Sequence, residues 1–153
     1  MRDFWYLLLL FGFVFSCTGG NSRLNSGTFE NRTERIETLQ REIKSFSDIK
    51  DAEFELFNIN GFHDQFFSIP GASAWDYRFV IKVDTADVFK WREGMTEVAT
   101  GAYDIGWTKD IIQHRKQNWQ TTDEPRYYVR AGDNVIMIIF YRDGIIFKRV
   151  IAE

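Results

Sequence analysis

The stretch WDYRFVIKV, residues 75–83, decides the fold class of this chain. Every second side chain from Trp75 to Val83 is apolar, and the side chains between them are charged, with Val80 as the single exception. Such alternation indicates a strand with one buried face and one solvated face, which is typical of antiparallel sheets.

The C-terminal part of the sequence predicts three further strands that form a β-meander. They cover residues 126–130, 135–141 and 145–151, separated by the turn signals Gly-Asp-Asn at 132–134 and Asp-Gly at 143–144. Asp-Gly between two apolar segments is a strong hairpin signal. The middle segment, VIMIIFY, is almost wholly apolar and therefore predicts a strand covered on both faces.

An amphipathic helix is predicted over residues 32–46. Its apolar stripe consists of Ile36, Leu39, Ile43 and Phe46. Asn31, followed three residues later by Glu34, is a typical helix N-cap. The stripe is barely two heptads long, so packing on the sheet of its own domain and association with a partner helix both remain open.

The remaining elements complete an α+β order. Residues 52–60 predict a strand with a bulge at Leu56-Phe57, where the alternation slips phase. Asp84-Thr85 can cap a short helix over 86–93, and Thr108 can cap another that runs to about residue 117. The order of helix, two strands, two short helices and three strands predicts an antiparallel sheet of about five strands, with the helices on one face.

Composition and charge narrow the partners of the domain. The chain has 153 residues, of which 44% are hydrophobic, enough for a single domain with a buried core. Its formal net charge is −3, and it contains no cluster of lysine and arginine. Since phosphate neutralisation supplies most of the affinity for nucleic acids, we expect no nucleic-acid partner.

The first residues have the pattern of a secretion signal. Residues 4–15, FWYLLLLFGFVF, form an unbroken apolar run that ends abruptly at Ser16 and Cys17. A transmembrane helix needs about 20 apolar residues, so this run fits the hydrophobic region of a signal peptide.

The tetrapeptide Val14-Phe15-Ser16-Cys17 resembles the lipobox of bacterial lipoproteins. The resemblance implies cleavage before Cys17, lipid attachment to that cysteine, and anchoring to the cell membrane or outer membrane with the domain in the periplasm or outside the cell. Cys17 is the only cysteine, so no disulfide within the chain can account for it. A free thiol behind an ordinary signal, or an uncleaved short anchor, is the alternative.

These signals divide the chain into three parts. Residues 1–16 are the predicted signal peptide, and residues 17–31 are the predicted lipidated cysteine with a flexible tether rich in glycine, serine and asparagine. Residues 32–153 are the predicted α+β domain.

Catalytic and metal-binding signals are weak. His114 lies four residues after Asp110, so the two could share a helix face, but a zinc site needs three or four ligands. We therefore predict no metal, no cofactor and no catalytic residue. Six carboxylates could contain the acid/base pair of a hydrolase, although their spacing selects no two of them. They are Asp84, Asp87, Asp104, Asp110, Asp123 and Glu124.

Aromatic residues in polar surroundings are the more informative signal. The candidate binding surface consists of Trp91, Trp107, Trp119, Tyr127 and Tyr128. Tryptophan and tyrosine are enriched at interfaces because a large ring carries a polar atom. The alternative is that these rings close the edge of a small core.

Together these observations favour a non-catalytic binding domain on a membrane anchor, with an envelope protein or a cell-wall polymer as its partner. The alternatives are a small envelope hydrolase that uses carboxylates, a structural subunit of an envelope assembly, and an immunity or inhibitor lipoprotein.

Overall fold

The computed structural model describes residues 21–62, 74–130, 132 and 134–152. Its strands are β1 (Arg23–Asn25), β2 (Ile49–Asn58), β3 (Trp75–Val83), β4 (Thr96–Val98), β5 (Arg126–Arg130), β6 (Val135–Phe140) and β7 (Ile145–Ala152). Its helices are α1 (Arg32–Glu42), α2 (Val88–Trp91) and α3 (Trp107–Ile111), with 3₁₀ segments at Ser26–Thr28, Thr85–Asp87 and Gln113–Trp119.

The strands form one antiparallel sheet in the order β1-β2-β3-β7-β6-β5-β4. The α+β class with an antiparallel sheet is therefore confirmed, but the sheet has seven strands where the sequence predicted about five. The two strands that were not predicted, β1 and β4, are three-residue edge strands, too short to show an alternating pattern.

Strand β1 lies within residues 17–31, the predicted flexible tether. It pairs with β2 from Arg23 opposite Phe57 to Asn25 opposite Glu55. The chain therefore joins the sheet at Arg23, before the predicted start of the domain at residue 32. The predicted signal peptide, Cys17 and the first residues of the predicted tether lie outside the described residues.

Helices cover both faces of the sheet, so the expectation of helices on one face is wrong. One face, here called the α1 face, packs on α1 and α2 through residues such as Leu39 and Trp91. The opposite face, called the α3 face, packs on α3 and the 3₁₀ segment that follows it, through Trp107 and Trp119. Edge strand β4 lies between α2 and α3 in the chain, which allows the chain to pass around the sheet edge from one face to the other.

Strand β3 has the predicted alternation. Phe79 and Ile81 are buried on the α1 face, and Asp76 and Arg78 are half-buried on the other face. Val80, the exception in the pattern, is fully buried in the core of the α3 face. An apolar residue in the charged series therefore marks the position where a helix covers that face.

The end of the first helix differs from the prediction. Helix α1 begins at its predicted cap, where the Asn31 side chain accepts a hydrogen bond from the Thr33 N–H at 2.8 Å, but it ends at Glu42. Ile43 has an extended backbone, yet Ile43 and Phe46 still pack on the core of the same domain.

The predicted helix at 86–93 is a 3₁₀ turn followed by one turn of α-helix, and the predicted helix at 108–117 is also interrupted. Helix α3 ends at Ile111, and a 3₁₀ segment with a non-helical Arg115 (φ −137°, ψ 44°) follows. Asp110 and His114 therefore do not share one regular helix face.

Turn and register predictions have mixed outcomes. The β6–β7 hairpin turns at Asp143-Gly144 as predicted; Gly144 has φ +65°, and a Cβ there would lie 2.5 Å from the carbonyl oxygen of Val83. The bulge predicted at Leu56-Phe57 is wrong, because the pairing of β2 with β3 is continuous there and is irregular only near Ile49.

The two ends of the sheet are defined by the strand termini that lie there. Strand β1 begins, β2 ends, β3 begins and β7 ends at the same end, which we call the proximal end. The β6–β7 turn and the last residue of β3 lie at the opposite, distal end.

Candidate functional site

The five aromatic residues predicted to form one binding surface are divided between the two faces. Trp91 and Tyr128 belong to the core of the α1 face, whereas Trp107, Trp119 and Tyr127 belong to that of the α3 face. Each is at most 7% exposed. They therefore form parts of two cores and not a continuous surface.

Three of the five nevertheless converge on the α3 face, where a cleft of about 140 Å³ opens between α3, the following 3₁₀ segment and the sheet. Its apolar lining consists of Ile105, Ile112, Trp119, Tyr127, Ile138, Phe140 and Phe147. Thr108, Lys109 and Thr121 complete the lining, and the last two are exposed to solvent. The cleft thus has apolar walls and a polar rim.

Two hydrogen-bond donors beside this cleft lack acceptors. Trp107 Nε1 and Trp119 Nε1 are buried and have no hydrogen-bond partner among the residues that the structure describes. By contrast, Trp91 Nε1 on the α1 face donates to Ser47 Oγ at 2.9 Å. A buried donor without a partner costs about 1–3 kcal/mol. Trp119 is also one of the residues that line the cleft.

A buried ionic group positions the segment that carries Trp119. Arg115 Nη1 lies 3.0 Å from both carboxylate oxygens of Glu53, and its Nη2 donates to the carbonyl oxygen of Phe29 at 2.6 Å. Glu53 is completely buried and also accepts a hydrogen bond from Ser26 Oγ at 2.5 Å.

A second arginine completes this group. Arg35 Nε donates to the Ala52 carbonyl oxygen at 3.0 Å, on the part of the β2 edge that β1 does not reach. Arg35 Nη2 binds Asp51 at 2.8 Å, and its Nε lies 3.7 Å from Glu53. We call Ser26, Arg35, Asp51, Glu53 and Arg115 the sealed cluster. It ties the N-terminal segment, α1, β2 and the 113–119 segment together.

A similar group lies uncovered on the same face, nearer the proximal end. Asp76 accepts hydrogen bonds from Arg78 at 2.6 and 3.0 Å, and from Arg149 at 2.9 Å on each oxygen. Burial alone would raise the pKa of Asp76, but the hydrogen bonds and charges of the two arginines outweigh it and lower the pKa. We call these three residues the open cluster.

The weak metal candidates do not form a site. Asp110 and His114 are both exposed, and no group of three metal-ligating side chains occurs within the described ranges. His114 lies against the backbone of the N-terminal segment, where a Cβ added to Gly27 would come within 2.8 Å of its Nε2. His63, the second histidine, lies outside the described residues.

Three of the six carboxylates considered for hydrolysis stabilise turns and helix starts. Asp84 and Asp104 accept backbone N–H groups from Ala86 and Gly106. Asp123 accepts the N–H of its neighbour Glu124 and that of Arg142 across the loop. The remaining ones are Asp87, which pairs with Lys90, and the exposed Asp110 and Glu124.

A larger, open groove of about 730 Å³ lies near the distal end. Tyr141 lines it, and its hydroxyl lies 2.8 Å from that of Tyr128. Burial, together with the hydrogen bond and charge of Tyr128, raises the pKa of Tyr141 to about 12. Tyr141 is therefore protonated at neutral pH, which excludes it as a general base there.

Lys148 is a buried charge on the opposite face that the sequence did not single out. It is 7% exposed, and its Nζ lies 5.7 Å from the centre of the Phe46 ring. Burial, with a contribution from the charge of Arg130, lowers the pKa of Lys148 to about 8.

Comparisons with protein-family models, curated proteins and solved structures gave no match. None of the helices in the described part of the chain has the length and hydrophobicity to cross a membrane.

Proposed function

We propose that the chain is a lipoprotein, anchored through Cys17, whose domain binds an envelope protein without catalysing a reaction. The observation that carries the binding role is an apolar cleft with a polar rim that Trp119 helps to line, while the buried indole N–H of Trp119 has no hydrogen-bond partner among the described residues. Protein interfaces commonly combine a buried apolar pocket for an anchor side chain with a polar periphery.

The size and chemistry of the cleft favour one apolar side chain as its occupant. Its volume, about 140 Å³, is close to that of a cavity of about 150 Å³ that holds benzene. Because the Trp119 N–H is buried, its hydrogen bond to a carbonyl of the partner backbone requires the cleft to open as the partner enters. Tyr103, two residues before the cleft residue Ile105, is 41% exposed and adds apolar area beside α3.

A cell-wall polymer is the weaker partner for these residues. Sugar rings bind proteins by stacking on accessible aromatic faces, and none of the five candidate rings is more than 7% exposed. The structural-subunit alternative relied on a free apolar stripe of α1, but Leu39 and the rest of the stripe pack on the sheet. The hydrolase alternative gains no support from carboxylates that cap turns.

The anchor is tested by intact mass measurement of protein extracted from membranes. We expect a chain that begins at Cys17 and carries added fatty acids, and we expect Cys17→Ala to be released from the membrane fraction. A mature chain that begins elsewhere, or lacks fatty acid, would contradict the anchor without touching the binding role.

The binding site is tested by NMR of the lipidated protein in lipid nanodiscs, with ¹⁵N-labelled tryptophan. The probes are N-acetyl-phenylalaninamide and N-acetyl-leucinamide, with N-acetyl-serinamide as the polar control. We expect a saturable shift of the Trp119 indole signal with the apolar probes, at about 1 mM for a contact of one side chain.

The protein supplies its own controls for this titration. The Trp91 indole, hydrogen-bonded on the other face, serves as the internal reference and should not shift. Ile112→Trp fills the cleft and should abolish the Trp119 response. A Trp119 signal that stays still, or that moves together with Trp91, would reject the cleft as the binding site.

A further inference from the structure

We infer that the cleft beneath α3 binds the C-terminal residue of a protein partner, an apolar residue whose terminal carboxylate pairs with Lys109. This inference rests on the proposed binding role of the cleft and adds to it the chemistry of the partner. All ten residues that line the cleft lie in the described part of the chain.

The lining of the cleft contains one charged residue. Lys109 lies at the rim and is exposed to solvent. It forms no ion pair or hydrogen bond with any residue that the structure describes, although Asp110 follows it directly in α3. The rim therefore presents a positive charge without a counter-charge from the described part of the chain, and an anionic group of a ligand complements it.

The polar groups at the rim favour a ligand that accepts hydrogen bonds. The Lys109 ammonium group has three N–H donors and no acceptor. The exposed hydroxyl of Thr121 has no hydrogen-bond partner among the described residues and can also donate. The Thr108 hydroxyl already donates to the Ile105 carbonyl oxygen at 2.8 Å. Among the described residues, no carboxylate or amide side chain lines the cleft, so an ionised carboxylate, which only accepts, suits the rim.

A chain terminus fits these groups better than an internal segment does. An internal residue is followed by a peptide N–H that needs an acceptor, whereas a terminal residue is followed only by its own carboxylate. In a C-terminal residue the side chain and the carboxylate are attached to the same Cα. One residue can therefore place its side chain in the cleft and its charge beside Lys109, since the cleft holds a single side chain.

The volume of the cleft distinguishes a chain terminus from a fatty acid, which also combines an apolar part with a carboxylate. A volume of about 140 Å³ is close to that of a cavity that holds benzene. It accepts the side chain of a phenylalanine or a leucine and is too small for a long acyl chain.

The experiment extends the NMR titration of the lipidated protein, with the Trp119 indole signal as the readout and phosphatidylcholine as the nanodisc lipid. Three probes carry the same phenyl ring. N-acetyl-phenylalanine has a terminal carboxylate, and N-acetyl-phenylalaninamide has none. In N-acetyl-phenylalanyl-aspartate amide the carboxylate belongs to the side chain of the following residue.

We expect N-acetyl-phenylalanine to bind about five-fold more tightly than its amide, as a well-formed ion pair at a solvated site allows. Raising the salt concentration from about 0.1 to about 1 M should shrink this preference, because the charges are screened. Lys109→Gln should remove the preference, and Lys109→Arg should keep it. The matched control is Lys116→Gln, which removes an exposed lysine that does not line the cleft and should keep the preference.

The outcomes separate this inference from the proposed function. Equal affinities for the acid and the amide, or a preference that survives Lys109→Gln, would overturn the inference and leave the cleft as an apolar binding site. Tighter binding of the aspartate dipeptide than of N-acetyl-phenylalanine would overturn it as well, because the ligand would then be an internal segment. If none of the three probes shifts the Trp119 signal, the inference and the proposed binding site both fail.

Discussion

Two ionic groups on the same face of the sheet have nearly the same composition and opposite settings. In the sealed cluster, Glu53 on β2 faces Arg35 and Arg115 and is completely buried. In the open cluster, Asp76 on β3 faces Arg78 and Arg149, and its side chain is 22% exposed. The sealed cluster lies where the N-terminal segment and the segment after α3 meet the sheet, and the open cluster lies beyond them.

The role of such an ionic group therefore depends on whether other segments of the chain cover it, and not on its residue types. A buried carboxylate with two arginines holds distant segments together. If one segment moves away, it leaves an unpaired charge buried in the others, which is strongly unfavourable. An uncovered group of the same kind is weakly stabilising and keeps its arginines near solvent. Thus the sealed cluster fixes the segment that carries Trp119, and the open cluster leaves its two arginines partly exposed.

The largest expected effect is that of Glu53→Gln. It should lower the free energy of unfolding by about 3–5 kcal/mol, since the Arg115 guanidinium loses its counter-charge and Arg35 keeps only that of Asp51. Urea denaturation measures this change. The matched control, Glu55→Gln, lies two residues along the same strand, where the side chain is half-buried and bonded to Asn25. Its free energy of unfolding should fall by less than about 1 kcal/mol. Equal decreases in the two variants would contradict the distinction between the sealed and the open cluster.

Lys148 sharpens the comparison as a buried charge without a carboxylate within ion-pair distance among the described residues. Its folded-state pKa, about 8, lies below the ordinary value of 10.5 because burial disfavours the charged form. The unfolded chain therefore binds more protons between these pH values, and the stability of the protein should rise as pH increases from 8 towards 10.5.

Lys148→Met should stabilise the protein at pH 7 by up to about 3 kcal/mol. The substitution should also abolish the rise in stability at alkaline pH. Lys82→Met, which changes an exposed lysine on the neighbouring strand, is the control. If the stability of both variants still rises at alkaline pH, the burial of Lys148 does not destabilise the protein as its position implies.

Asp76→Asn should have a smaller effect, about 1 kcal/mol at neutral pH, because the open cluster is partly solvated. The folded-state pKa of Asp76 is lowered, so its contribution is present above the ordinary carboxyl range and disappears as the pH falls through the lowered value. Chemical denaturation from neutral to acidic pH should show the variant and the wild type converging. A difference that grows in acid would contradict the ion-pair origin of the effect.

The smallest expected effect is the response to salt. Raising the salt concentration from about 0.1 to about 1 M shortens the screening length from about 10 to about 3 Å. The stability difference between wild type and Asp76→Asn should shrink by a few tenths of a kcal/mol, while that of Glu53→Gln should stay unchanged. An equal salt response would show that both clusters are accessible to ions.

The sequence predicted local features well, because alternation and turn chemistry are local. The strand from Trp75 to Val83 and the turn at Asp143-Gly144 follow from neighbouring residues alone. Glu53 could not be recognised in the same way: the pattern of β2 places it on the solvated face, and the cover arrives with Arg115, 62 residues later. Strands β1 and β4 have three residues each. They form because they pair with longer strands, and their sequences show no alternation of apolar and polar residues.

The candidate site could be predicted only in part, again because sequence patterns report local structure. Of the five aromatic residues predicted to form a binding surface, Trp119 and Tyr127 line one cleft in the structure. Tyr128 was grouped with them, although adjacent residues of a strand point to opposite faces, and this local rule would have separated it from Tyr127. No hydrogen-bond acceptor lies near the Trp119 indole N–H among the described residues. This depends on the three-dimensional surroundings and could not be predicted from the sequence.

A crystal structure of the domain with N-acetyl-phenylalaninamide tests most directly whether the cleft beneath α3 is the binding site. We expect the phenyl ring between Ile138 and Phe147, with a carbonyl oxygen of the probe about 2.9 Å from Trp119 Nε1. A probe bound elsewhere, or a Trp119 Nε1 already bonded to an acceptor of the protein itself, would contradict it.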